Sequence, residues 1–174
     1  EGVSVDFTDR FYGPAGKLFR KYRQTLGEAQ KQWSPFISWF PSPGRFTYLN
    51  TKFLFEMEQL FDQGEELLKN DSVRLSRWKH ARISLDRAVL MRISYLIADF
   101  LRNGQPIEKF PFDLDKIQKR VEESMLDVAH RRYTVANIQK KQSNSESVAT
   151  TLLNEAHGNI LHFAARYGNT KPVI

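Results

Sequence analysis

The sequence predicts an all-α protein, a bundle of about five or six helices with one long central helix and one aromatic-rich loop. Apolar residues recur at steps of three and four along most of the chain, which places them on one face of a helix. Asparagine, aspartate, proline and glycine stand between these stretches, where helices begin and end. No pair of segments alternates between apolar and polar residues in the manner of a β-hairpin.

Composition is consistent with one folded unit. The chain has 174 residues, of which 41% are hydrophobic and 13% aromatic, enough to bury a core. There is no cysteine, so disulfides and thiol chemistry are excluded. No apolar run reaches the roughly 20 residues of a membrane span, and none is expected. Because the chain begins with Glu1, we interpret residues 1–174 as a single helical domain excised from a longer multidomain protein.

The first clear helix is predicted from Pro14 to about Trp33. Gly13 can end a preceding helical turn, and Pro14 loses no hydrogen bond in the first turn of the next helix. We therefore assign Gly13 and Pro14 a structural role. The apolar face of this helix contains Ala15, Leu18, Phe19, Tyr22, Leu26, Ala29 and Trp33.

A loop over residues 34–50 follows, with three prolines and five aromatic residues. A loop of this length is usually functional or packed down as a lid. Sugars stack their C–H faces on aromatic rings, so the loop and its edge are a candidate carbohydrate site. Its candidate residues are Trp33, Trp39, Arg45, Phe46 and Tyr48. The alternative, favoured by the many phenylalanines, is that the rings close one end of the bundle or contact another domain.

Asn50 or Thr51 can cap the next helix, which should run to about Lys69. Asn70 and Asp71 then interrupt the chain and recap it. We expect the buried face of this helix to contain Leu54, Met57, Leu60, Phe61, Gly64, Leu67 and Leu68.

The long helix is predicted from about Ser72 to Asn103, with Gly104 as its stop. Its second half, 85–101, is apolar on most sides, which is typical of a central helix. Trp78 and Arg82 lie near its buried stripe and are predicted to be structural. A buried guanidinium needs a carboxylate or several carbonyl groups as partners. We favour pairing with a glutamate of the preceding helix, such as Glu58 or Glu65, over contact with a ligand or with another domain.

The last third of the chain predicts two more helices. Asp113 can cap a helix that runs to about Tyr133. A polar segment separates it from a final helix, from about Ser147 to Tyr167, which Gly168 ends.

No catalytic, metal-binding or cofactor-binding motif is present. Glycosidases need two carboxylates that face each other across about 5 to 9.5 Å, and neighbours such as Glu65 and Glu66 do not face each other on a helix. His157 and His162 are five residues apart, whereas a spacing of four places two ligands on one helical face. We therefore predict no catalytic residue, no metal and no cofactor.

The net charge of +6 could indicate a polyanionic partner. However, the 26 lysines and arginines are interleaved with 20 aspartates and glutamates on nearly every predicted helix. Solvated helix faces explain this pattern better than a phosphate-binding stripe. Nucleic acid is therefore not the expected partner.

Two stretches of the chain carry a family resemblance. In the first, residues 11–16 read FYGPAG and precede a helix. The second contains two amphipathic segments, residues 57–68 and 77–88, on either side of a polar break. In order and spacing these resemble bacterial proteins of the family called "domain of unknown function 4838", relatives of α-glucuronidase-type barrel glycoside hydrolases. That family has a similar YYGPAA stretch where its barrel gives way to a helical C-terminal region.

The resemblance implies a non-catalytic helical C-terminal domain of a bacterial glycoside hydrolase. Such a domain would pack on an upstream barrel and help shape the carbohydrate cleft or an oligomer interface, with the catalytic carboxylates on the barrel. The implied partners are that barrel, an oligosaccharide and a second copy of the chain, and the implied location is extracytoplasmic. The alternative is a free-standing helical module that binds a polyanion such as nucleic acid, or carbohydrate through the aromatic loop.

These three hypotheses about function predict different surfaces. An accessory domain should expose an apolar patch where the barrel packs. A polyanion-binding module should gather lysine and arginine on one face. A carbohydrate-binding module should expose two or more coplanar aromatic rings.

Overall fold

The prediction of an all-α fold is confirmed by the computed structural model, which describes residues 2–33 and 42–136. Every regular element in these residues is helical. The α-helices are α1 (Gly2–Tyr12), α2 (Gly16–Lys31), α3 (Thr51–Leu68), α4 (Ser72–Arg102) and α5 (Leu114–Ala136). Short 3₁₀ turns lie at Gly13–Ala15, Pro43–Arg45 and Ile107–Lys109. The helix predicted over 147–167 lies outside the described residues.

Internal contacts divide the chain into two compact units, Glu1–Leu85 and Asp86–Ile174. The boundary falls within α4, the long helix that the sequence predicts. No helix in the described ranges is both long and apolar enough to cross a bilayer.

The start of the first unit differs from the prediction, because α1 precedes the helix expected to begin at Pro14. Gly13 ends α1 at a φ of 57°, a left-handed conformation that glycine adopts without strain. Pro14 then lies in the first turn of the 3₁₀ segment. The sequence signal for α1 is weak, since valine, threonine and phenylalanine are poor helix formers and no acidic residue stands in its first turn.

Contacts with α2 stabilise α1. The Arg20 guanidinium donates to Asp9 Oδ1 at 2.5 Å and also to the buried Thr8 hydroxyl. A Cβ at Gly16 would lie 2.5 Å from Asp9 Oδ1 and 2.8 Å from the Thr8 carbonyl oxygen. The absence of a side chain at Gly16 therefore lets α2 begin directly against α1.

The core of the first unit surrounds Trp78, which is fully buried. Its Nε1 donates to the Phe61 carbonyl at 2.9 Å, and its ring centroid lies 4.8 Å from that of Phe61 and 5.6 Å from that of Tyr12. The predicted buried face of α3 is correct except at Leu67, whose side chain is 53% exposed. Leu67 lies in the last turn of α3, next to the break before α4.

The break between α3 and α4 is closed by Asp71, as the sequence predicts. Asp71 Oδ1 accepts a hydrogen bond from the backbone N–H of Arg74 at 3.0 Å, and Oδ2 accepts one from the Arg74 guanidinium at 2.7 Å. The backbone hydrogen bond, and then the side-chain bond, lower the pKa of Asp71 below its ordinary value of 3.8.

We expect the stabilising contribution of Asp71 to be lost on acidification. Because its pKa is lower in the folded state, the contribution is full above the ordinary value of 3.8 and disappears as the pH falls through the lower folded-state pKa. Asp71→Asn keeps a cap acceptor and should remove this pH-dependent part. An NMR titration of the Asp71 carboxyl checks the sign, and a midpoint above 3.8 would contradict it.

In the second unit, the described helical part is the end of α4 together with α5. Arg120 makes a two-point pair with the buried Asp86, through Nε at 3.0 Å and Nη2 at 2.6 Å. Gly104 ends α4 at a φ of 72° with the two reverse hydrogen bonds of a Schellman motif, at 2.9 Å and 3.3 Å. Asp113 caps α5 as predicted, since its Oδ1 accepts from the Lys116 N–H at 2.9 Å.

Buried apolar residues of this unit lie on α4, on α5 and in the connection between them. They are Val89, Leu90, Ile93, Leu96, Ile97, Phe110, Phe112, Leu114, Ile117 and Val121. The second half of α4 is not buried on every side, because Met91, Tyr95 and Leu101 are exposed.

Candidate functional site

A cleft of about 330 Å³ lies between the last turn of α2 and the first turn of α3 in the first unit. The ends of the two helices and the turn that leads into α3 supply its lining residues. The residues that line this cleft are Ala29, Gln32, Trp33, Thr47, Tyr48, Asn50, Lys52, Phe53 and Glu56.

The helix ends fix the positions of the lining side chains. After α2, the backbone N–H of Trp33 bonds to the Gln30 carbonyl at 3.1 Å, which holds the indole at the helix end. On the other side, Asn50 Oδ1 accepts from the Phe53 N–H at 2.9 Å and caps α3, as the sequence predicts. Lys52 and Glu56 follow on successive turns of α3.

Three of the five predicted carbohydrate-binding residues come together here. The Trp33 ring centroid lies 5.5 Å from that of Phe46 and 5.0 Å from that of Tyr48, and Phe46 and Tyr48 are 6.3 Å apart. The ring planes are tilted by 34°, 55° and 85° in the same order. The coplanar exposed surface expected of a carbohydrate-binding module is therefore not formed by these three rings.

The five candidates have different roles in the geometry. Trp33 and Tyr48 line the cleft, whereas Phe46 contacts both rings and supports them. Arg45 lies in the 3₁₀ turn before Phe46, with its side chain exposed. Trp39 lies outside the described residues.

Sequence reasoning missed the polar residues of the cleft. Gln32, Lys52 and Glu56 stand within predicted helices or at their ends, where they resemble any solvated residue. Lys52 and Glu56 are four residues apart and form an ion pair at 3.9 Å, which is the one signal that sequence spacing offers. The charged side chains of the cleft are thus one cation and one anion.

The buried stripe of α4 carries a second polar cluster, around Arg82. Only 1% of the Arg82 side chain is exposed, and its guanidinium bonds to Glu58 at 3.3 Å, Asp62 at 2.6 Å and Glu65 at 2.8 Å. The predicted pairing with Glu58 and Glu65 is confirmed, and Asp62 is an additional partner. The spacing of the three carboxylates along α3, at four and three residues, places them on one helical face.

In the described ranges, several acids that stand close to another acid in the sequence have structural partners. Glu65 bonds to Arg82, its neighbour Glu66 pairs with Lys69 at 2.5 Å, and Asp113 caps α5. No group of three or more His, Cys, Asp or Glu side chains within these ranges is arranged to hold a metal.

Several arginines of α2 and α4 make internal contacts. Arg20 pairs with Asp9 and Arg74 pairs with Asp71. The Arg77 guanidinium donates to the Phe11 carbonyl at 3.1 Å and lies 4.4 Å from the centre of the Phe11 ring. These arginines stabilise the fold, and they do not combine into a phosphate-binding stripe.

An apolar face on α1 is exposed. The Phe7 side chain is 58% exposed and stacks on Phe11 with ring centroids 5.3 Å apart and planes 17° from parallel. Exposed aromatic rings on a rigid helix are typical of a surface that packs on a partner.

No protein-family model, curated protein or solved structure matches this chain significantly. The site must therefore be interpreted from its own geometry.

Proposed function

We propose that this chain is a non-catalytic helical C-terminal domain of a bacterial glycoside-hydrolase-like protein of the "domain of unknown function 4838" type. In this role it packs on a barrel domain and helps shape the carbohydrate cleft or an oligomer interface. The observation that carries the proposal is the exposed Phe7 ring of α1, which stacks on the half-buried Phe11.

The α1 face has the features of a protein contact surface. The Phe11 ring is held in place, because Arg77 lies against it and its centroid is 4.9 Å from that of the buried Tyr12, and Phe7 stacks on this ring. Fixed rings lose little conformational entropy on binding. The exposed pair Asp6–Arg10, at 2.8 Å, supplies a polar edge next to them. An apolar centre with a polar rim is the usual arrangement of such interfaces.

The position of α1 in the sequence agrees with the resemblance. The FYGPAG stretch begins at Phe11, so α1 directly precedes the 3₁₀ turn at Gly13–Ala15. In the resembling proteins, the barrel ends at this point. A contact surface on α1 would therefore lie next to the preceding barrel.

Phe7→Asp is expected to weaken the contact between this domain and the barrel by about tenfold or more, because it places a charge in the apolar centre. The matched control is Leu67→Asp, since Leu67 is 53% exposed on α3. The two domains are produced separately, and their association is measured by calorimetry. Circular dichroism on each variant checks that the helical domain still folds.

The coding sequence upstream of residue 1 is the first test of the proposed barrel partner. Alternating strands and helices upstream, with carboxylates at strand ends, would support the proposal. An upstream sequence without a barrel would contradict it. So would equal effects of Phe7→Asp and Leu67→Asp on association, because the contact would then not be centred on α1.

A further inference from the structure

We infer that the cleft between α2 and α3 binds a single hexose-sized unit of a neutral carbohydrate, held by Trp33, Tyr48, Gln32 and the Lys52–Glu56 pair. This inference goes beyond the proposed packing role. It concerns a different surface of the first unit, and it can be tested on this chain alone.

The aromatic wall favours one sugar ring over an extended chain. The planes of Trp33 and Tyr48 meet at 55°, so the two rings form a corner. A flat platform for several sugar units would need rings closer to parallel. The Phe46 ring centroid lies 5.5 Å from that of Trp33 and 6.3 Å from that of Tyr48, so Phe46 supports both walls of the corner. One apolar sugar face can then stack on either wall.

The polar residues of the cleft match hydroxyl groups. Gln32 offers an amide with both donor and acceptor atoms. Asn50 also lines the cleft, and because its Oδ1 caps α3, the group that it can offer a ligand is its amide nitrogen, a donor. The Lys52–Glu56 pair is long, at 3.9 Å, so each group retains capacity to bond a hydroxyl.

The charge and the volume of the cleft limit the ligands that it can bind. One cation and one anion line the cleft, so their charges cancel and neither an anionic nor a cationic ligand is favoured. The volume of about 330 Å³ lies at the lower end of the roughly 300–1,000 Å³ of small-molecule sites. A single neutral sugar ring fits both constraints.

The test is a binding titration of the whole chain with methyl glycosides of glucose, galactose, xylose and N-acetylglucosamine. Chemical-shift changes of backbone amides are followed in two-dimensional NMR spectra. We expect saturable binding of at least one neutral sugar, with a dissociation constant of about 0.1–10 mM, and shifts centred on the ends of α2 and α3. Glucuronate, which is anionic, should bind no better than its neutral counterpart.

Variants separate direct contact from structural support. Gln32→Ala and Lys52→Ala change exposed side chains and should each weaken binding by about three- to tenfold. Trp33→Ala should weaken it by at least about tenfold. The matched controls are Gln63→Ala and Lys69→Ala, which change the same residue types outside the cleft lining, on α3 and just after it, and should leave affinity unchanged.

Three outcomes would overturn the inference. The first is that no sugar of the panel binds at up to roughly 10 mM. The second is that binding survives Gln32→Ala, Lys52→Ala and Trp33→Ala without loss. The third is that an aromatic compound without hydroxyls, such as indole, binds as tightly as the best sugar. None of these outcomes bears on the barrel contact, which the Phe7→Asp experiment tests separately.

Discussion

Gly64→Ala is expected to lower the free energy of unfolding by about 3 kcal/mol. A Cβ at this position would lie 2.1 Å and 2.2 Å from two carbons of the Trp78 indole, far inside van der Waals contact. The ring cannot move aside freely, because Trp78 is fully buried and its Nε1 bonds to the Phe61 carbonyl. The added methyl must therefore displace α3, α4 or the indole itself.

The control is the same substitution in another helix. Gly27 lies within α2, and a Cβ there meets no atom within 4 Å. Gly27→Ala should therefore raise the free energy of unfolding by about 0.5–1 kcal/mol, because alanine has the higher helix propensity. Urea unfolding followed by circular dichroism compares the two variants. Equal effects at Gly64 and Gly27 would show that the indole does not lie against α3.

A double-mutant cycle identifies the clash directly. Trp78→Phe removes the indole carbons that the new methyl would meet, although it also removes the hydrogen bond to the Phe61 carbonyl. Gly64→Ala should therefore cost less in the Trp78→Phe background, with a coupling energy of about 1–2 kcal/mol.

Helix α3, helix α4 and the start of α5 could be predicted from the sequence because their ends carry local signals. Asn50, Asp71 and Asp113 each cap a helix through a side-chain oxygen, and Gly104 ends α4 in a left-handed conformation. Such signals act within four residues, so they are legible without the fold. Helix α1 has such a signal only at its end, where Gly13 is left-handed, and no acidic residue stands in its first turn. It depends instead on contacts with α2, such as that of Arg20 with Asp9.

The candidate site was harder to predict, because it depends on which residues the fold brings together. Trp33 and Tyr48 are recognisable candidates in the sequence because they are aromatic. Gln32 and Lys52 are not, since polar residues at helix ends are ordinary and only the cleft gives them a shared role. For Arg82, the sequence predicts a glutamate partner on α3 but not the third carboxylate, Asp62. Asp62 is indistinguishable from other exposed acids until the register of α3 against α4 is known.

Arg82→Met is expected to lower the free energy of unfolding by about 3 kcal/mol, the lower part of the range for breaking a buried ion pair. Methionine fills part of the space but leaves Glu58, Asp62 and Glu65 without the guanidinium that they share. We expect the lower part because Asp62 is 49% exposed and water can solvate its carboxylate. The measurement is urea unfolding at neutral pH.

The control is Arg10→Met, which removes an exposed pair with Asp6 and should change stability by less than about 0.5 kcal/mol. A second change separates charge from packing. If Arg82→Met is costly because it removes the cation that neutralises these carboxylates, then adding Glu58→Gln should restore about 1 kcal/mol, since Glu58 is the most buried of the three. If the loss were one of packing alone, Glu58→Gln would give no recovery.

Sugar binding in the cleft should be unchanged in the folded Arg82→Met variant, because Arg82 is not among the residues that line the cleft. A loss of sugar binding without a loss of stability would instead place Arg82 in the binding function.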